Sequence, residues 1–471
     1  MTTSQETTER PAAPAGEQGA APQNAATAPR PEAYRVRPGP RRPAGPRRLG
    51  ARAVTALVLI GTLCALAVVA GVNVRDDTAQ LRTTVSERAE AAAQLRFALA
   101  DLDAQRADTL APGTSATDAE VTVGNQLNAL ITAQQRRTQI SDLLRQLGGD
   151  RAQGDRVRSL LDALGRYDDL SGRAAYVDEQ SPARDAGHPP RFAVALNVSA
   201  GQIMRDDLLP VATELSSVYL RQAESQQARA HDAAVRWALV LGLLGAVTLA
   251  FLLWWQRELA RDYRRSVNPA VALGTAAVIA VTLAGTLSLA AGAASVDGAV
   301  ARGLRPWTRL AEARAVAAEA AAAQSRWFVH DAAFGAGDQA QFGQLTDRLD
   351  TLLAPGGQAT ADERPAYQDV LTRYGHFRAD DTRLRSLKAS GNIDEAAAVL
   401  TEVGRGDIAF DFWDFATTLD GLAERQLADF TAQVSDAHAA LDGWPALPAG
   451  TLGVAGVMVL LGVRPRLAEY R

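Results

Sequence analysis

Four apolar runs without a single charged side chain restrict what this chain can fold into more than any other feature. Residues 53–74 read AVTALVLIGTLCALAVVAGVNV and 237–255 read WALVLGLLGAVTLAFLLWW. Residues 269–294 run from PAVALGTAAVIAV to LAAGAA, and 444–463 read WPALPAGTLGVAGVMVLLGV. Each supplies ~20 uncharged residues, the length an α-helix needs to cross ~30 Å of hydrocarbon. A water-soluble core helix rarely repeats that pattern four times. The expectation is an all-α integral membrane protein with four spans and the lipid bilayer as its first partner.

Arginines set an expected orientation, because short cytoplasmic flanks retain them. Arg41, Arg42, Arg47, Arg48 and Arg52 precede the first run. Arg257, Arg261, Arg264 and Arg265 lie between the second and third, and Arg464, Arg466 and Arg471 follow the fourth. With an even number of spans, all three clusters fall on one side. Both termini are therefore expected in the cytoplasm, with Trp237, Trp254, Trp255 and Trp444 marking the interfaces. The expected order is a disordered cytoplasmic tail (1–52), span one (53–74), an outer bundle (75–236), span two (237–255) and a cytoplasmic loop (256–268). Span three (269–294), a second outer bundle (295–443), span four (444–463) and a short cytoplasmic tail (464–471) complete it. About 50 residues precede span one, far more than a cleavable signal sequence carries, so an uncleaved anchor in the plasma membrane is expected.

The outer segments repeat apolar residues every three or four positions, the spacing of helices. Breaks at 111–118, 148–150 and 181–190 divide the first into four helices. GAGD (335–338), APGGQAT (354–360) and ASGN (389–392) are expected to divide the second likewise. DALGRY at 162–167 returns as DVLTRY at 369–374, and ATEL at 212–215 as ATTL at 416–419. The offsets are nearly equal, which suggests a tandem duplication of span, antiparallel bundle and span. Pro210 sits inside the expected fourth helix and should kink it.

Little chemistry is on offer. Cys64 is the only cysteine and lies in a span, so no internal disulfide forms. The five histidines are scattered without metal-ligand spacing, and no phosphate-binding loop or nucleophile elbow occurs. No catalytic residue, metal or cofactor is expected, and the spans hold no ionisable residue of the kind that marks an ion pathway. A formal net charge of −4 gives no basic surface for nucleic acid. In FDFWDF (410–415) the spacing puts Phe412 and Phe415 in a core.

One stretch, LRFALADLDAQRADTL (95–110), sets acids among apolar residues. At 100° per residue Leu95, Leu99, Leu102, Arg106 and Leu110 share a stripe, and Asp101 and Asp108 face water. Asp103 lies at the stripe's edge, three residues from Arg106. The two are expected either to pair there, for a few tenths of a kcal/mol, or to form an extracytoplasmic contact surface.

Residues 98–110 (ALADLDAQRADTL) and 191–215 (RFAVALNVSAGQIMRDDLLPVATEL) resemble two segments of a family of actinobacterial four-span membrane proteins with two extracytoplasmic helical bundles. Ser199, Met204, Arg205, Leu208, Leu209, Pro210 and Ala212 stand at that family's positions. Leu102, Arg106 and the tripeptide at 195–197 depart from it. The family includes the membrane partner of a glutamine/glutamate-binding lipoprotein and of Ser/Thr kinase G. The resemblance implies a sensor or signal relay. Such a protein would couple an extracytoplasmic ligand or solute-binding protein to a cytoplasmic partner such as a Ser/Thr kinase, which would engage Arg257, Arg261, Arg264 and Arg265. A non-signalling envelope scaffold is the alternative, and a homo-oligomer is compatible with either.

Overall fold

A computed structural model describes residues 46–80, 86–181, 183–263, 269–354, 359–439, 443–444 and 446–468. It is 88% helical. Most of the expected N-terminal tail, Arg264, Arg265 and residues 469–471 lie outside the described residues.

Four helices are long and apolar enough to cross a membrane, which fits a multi-pass membrane protein. α1 (Pro46–Gln80) carries the first run. α2 (Ser86–Asp108), α3 (Gln126–Leu147), α4 (Gly154–Glu179) and α5 (Arg191–Ile203) follow. A two-residue antiparallel pair, β1 (Gly113–Thr114) and β2 (Thr122–Val123), sits in the break after α2. α6 (Leu209–Tyr263) holds the second run, and α7 (Pro269–Ala299) the third. α8 (Arg305–Val329), α9 (Ala332–Leu353), α10 (Arg364–Ala389), α11 (Ile393–Thr401) and α12 (Ile408–Ala439) follow, then α13 (Ala446–Ala468) with the fourth run.

Two of the apolar helices run on into the neighbouring segments. A π-helical turn, Met204–Leu208, joins α5 to α6, so the helix is continuous from Arg191 to Arg261. A second, Val300–Leu304, joins α7 to α8 from Pro269 to Val329. Each stands just before a proline, Pro210 or Pro306, whose missing N–H disturbs the local ladder. The wider turn takes up that disturbance through i→i+5 bonds: Leu209 N–H donates to the Met204 carbonyl and Arg305 N–H to that of Val300. Helix also covers residues 256–263 of the expected cytoplasmic loop.

α1 and α7 each pack against both α6 and α13, giving a ring of four apolar helices. Trp444 fixes one corner. Its indole Nε1 donates to the Ala67 carbonyl at 3.0 Å. A Cβ at Gly71 or Gly285 would stand 2.1 or 2.9 Å from its ring atoms, so only glycine admits the indole between α1 and α7. Trp255 is likewise buried, while Trp254 is exposed. Only part of the expected interfacial tryptophan set therefore faces outward.

The two segments expected outside, 75–236 and 295–443, share one continuous buried cluster rather than owning one each. α2 packs against α3, α6 and α8, and α8 packs against α9, α12 and α2. The first helix of each segment thus lies at the centre, with alanines buried along both. Polar seams also cross between segments. Asp394 accepts from Ser115 Oγ at 2.6 Å, Thr401 Oγ1 accepts from the Asn125 N–H at 3.0 Å, and Arg96 pairs with Glu319 at 2.7 Å.

Candidate functional site

The centre of α2 and α8 corrects the reading of residues 95–110. α2 has almost no wet side, because neighbours cover it on three sides, and Asp101, Asp103 and Asp108 are all buried. The expected pair between Asp103 and Arg106 is not formed. Asp103 instead meets the Arg326 guanidinium from α8, and its other oxygen accepts from Tyr167 Oη of α4 at 3.1 Å. Arg106 forms no ion pair among the described residues, and its buried Nε lacks a hydrogen-bond partner. Asp103, engaged on both oxygens, is no contact surface.

Arg326 is the hub. Only 2% of its side chain is exposed, and its planar fork serves three acceptors. Besides Asp103 these are Asp338 Oδ1 at 2.9 Å and Gln341 Oε1 at 3.0 Å, both on α9. Asp338 also meets His330 Nδ1 at 2.7 Å, and His330 Nε2 meets Asn197 Oδ1 of α5 at 3.0 Å. Arg205 Nη1 approaches Asp338 at 4.0 Å. Burial would raise the Asp338 carboxyl, but hydrogen bonds from His330 and Arg326 outweigh it and hold the group below its ordinary value. Burial also pushes the Tyr167 phenol well above its ordinary value, helped by the Asp103 charge. The cluster joins five helices from both segments through compensated charges and so ties them together.

His330, one of the five scattered histidines, is therefore buried. GAGD (335–338) is no break, since Asp338 is turned inward within α9. The break falls earlier, where the Asp331 side chain accepts from the Ala333 N–H and starts α9. Nothing in residues 95–110 announces Arg326, Asp338, His330 or Asn197, which arrive from distant elements. The one available signal is an arginine at the end of an alanine run that offers it no local acid.

Beyond this cluster, the chain's single lysine closes the end of α8. Lys388 Nζ donates to the carbonyls of Trp327 and Phe328 at 2.8 and 2.9 Å and lies 4.3 Å from the Trp327 ring centroid. Burial and neighbouring Arg385 lower its ammonium to about 8.

Two grooves flank the central pair. One, about 340 Å³, lies among α2, α3, α8 and α12. Phe97 forms its floor, with the Arg314 and Arg136 guanidinium carbons 3.8 and 5.0 Å from the ring centroid. Arg136 pairs with Asp101 at 2.5 Å and Arg314 with Asp420 at 2.6 Å. Burial lowers the Arg314 guanidinium despite Asp420, and its Nε has no partner. Phe412 and Phe415 are core, as their spacing predicts, whereas Phe410 and the 57%-exposed Trp413 line the mouth. The other groove, about 190 Å³, lies among α2, α6, α8 and α9 and is lined by Arg96, Trp307, Ala311, Ala315 and Arg348.

Among the described residues no group of three or more His, Cys, Asp or Glu is placed to hold a metal ion. Arg257 and Arg261 are exposed near the end of α6, where the neighbouring Glu258 pairs with Arg52 at 3.0 Å. Searches with protein-family models and against curated proteins and solved structures found no match.

Proposed function

We propose that the chain is a non-enzymatic transmembrane signal relay of the plasma membrane, with both termini in the cytoplasm. A ligand, or a solute-binding protein carrying one, engages the outer helical body. A cytoplasmic partner such as a Ser/Thr kinase reads the state of the spans at Arg257, Arg261, Arg264 and Arg265. The observation that carries this reading is helix continuity. The stretches Arg191–Arg261 and Pro269–Val329 each pass unbroken between the locked outer core and an apolar run. A displacement in that core, of the ~1–2 Å typical of helix shifts, would be carried along the helix axis. The π turns at Met204–Leu208 and Val300–Leu304 are the places where such a helix changes register at least cost.

We also read the two halves as tandem duplicates. Element order supports this: α1 and α2 match α7 and α8, α3 matches α9, α4 matches α10, and α6 matches α12 with α13. Arg96 and Arg314 then occupy equivalent places on α2 and α8, as do Asp101 and Glu319.

The relay reading is tested by crosslinking and pull-down from native membranes. Wild type should recover a cytoplasmic protein that is lost when Arg257, Arg261, Arg264 and Arg265 are changed to Gln. Recovery that ignores those changes contradicts it and leaves an envelope scaffold.

A further inference from the structure

The groove among α2, α3, α8 and α12 combines features the core does not require. A packed interior has no use for a cavity of about 340 Å³ with a half-exposed tryptophan at its mouth. That volume sits at the small end of ligand sites, which pair apolar walls with a few placed polar groups. Here the walls are Phe97, Phe410 and Trp413, and the charged lining is Arg136, Arg314 and Asp101. Arg136 is paired with Asp101 and Arg314 with Asp420, so the charges at the groove are compensated, and what the two guanidiniums still offer is N–H donors beyond those pairs. Arg314 uses Nη1 for Asp420, and a guanidinium offers five donors in a fork that matches a carboxylate. The aromatic side favours a planar apolar group, since offset or edge-on ring contacts add to simple burial.

We propose that this groove binds a small monocarboxylate bearing a planar apolar group, its carboxylate on Arg314 and Arg136 and its ring against Phe410 and Trp413. The site is built by both segments: Phe97 and Arg136 come from the first, Arg314 and Trp413 from the second. Occupancy therefore bears on the seam between α3 and α12, and Arg314 stands on the helix that continues through Pro269. The proposal supplies the ligand step of the relay and rests on that reading for its purpose, though not for its chemistry.

The test is isothermal titration of the full-length protein in lipid nanodiscs with phenylacetate, and with phenethylamine as the ring without the carboxylate. Phenylacetate should bind saturably and phenethylamine should not. Trp413→Ala, at an exposed position that does not threaten folding, should weaken phenylacetate at least ~10-fold, a loss of ~1.4 kcal/mol. Arg348→Gln in the opposite groove should leave it unchanged. Absence of saturable phenylacetate binding, equal binding of phenethylamine, or indifference to Trp413→Ala overturns the proposal. Persistent binding alongside a failed pull-down would sink the relay and leave the site standing.

Discussion

The two grooves beside the α2–α8 pair differ in size and lining, one holding about 340 Å³ and the other about 190 Å³. One has Phe97 of α2 as its floor with Phe410 and Trp413 on its walls, and the other has Ala315 of α8 with Ser216 and Leu220. Cations are kept in both but used differently. Arg96 spends its fork on Glu319 and Arg348 pairs with Glu312, whereas Arg314 keeps an unpartnered Nε beside an aromatic floor. The same pair of helices thus carries a smaller groove with paired cations on one side and a larger, aromatic-lined one on the other. A ligand in the larger groove alone would load one side of the α2–α8 pair.

The largest effect should come from breaking what both grooves lean on. Arg326→Ala leaves Asp103 and Asp338 buried without their cation and should cost ~3–5 kcal/mol, read by chemical unfolding in lipid. Making the smaller groove resemble the larger one should come next. Ala315→Phe overfills a buried site and should cost ~1–3 kcal/mol, visible as a lower thermal midpoint.

A pH effect separates the α12 side, which has a carboxyl pair, from its counterpart. Burial, together with the hydrogen bond to Asp411 and its charge, pushes Asp380 up to about 7; burial, helped by the Asp101 charge, does the same for Asp108 despite a hydrogen bond from Ser325. Each native carboxyl holds a proton that the unfolded chain has released between pH ~4 and ~7. Stability should therefore fall as pH rises through that window, by at most ~1.4 kcal/mol per pH unit per group, and level off above it. Asp380→Asn should remove part of that slope in thermal unfolding from pH 5 to pH 8. An unchanged slope would contradict the buried pair. The smallest effect belongs to the surface of the smaller groove, where Arg348→Gln removes a solvent-exposed pair and should cost under ~1 kcal/mol.

The membrane-crossing helices were legible because lipid permits no charge over ~20 residues, a constraint written into consecutive positions. The core of α2 was not. Periodicity assumes one apolar face and one wet face, and a helix packed against α3, α6 and α8 has no wet face to reveal. Its acids read as solvated because their partners are far away in sequence: Arg326 for Asp103 and Arg136 for Asp101. The alanine runs in α2 and α8 were the available hint, since small side chains on every face permit close approach all round. The groove was half visible. FDFWDF announced an aromatic cluster and its spacing sorted Phe412 and Phe415 inward. Which cations would face Phe410 and Trp413 depended on the fold.

That the two segments form one locked body is tested most directly by hydrogen exchange on the full-length protein in nanodiscs, wild type against Arg326→Ala. Arg326 belongs to the second segment. One shared core predicts that amides of α3 and α4 in the first segment lose protection together with those of α9 and α10 in the second. Loss confined to α8, α9 and α10, with α3 and α4 unchanged, would mean two independent bundles and contradict it.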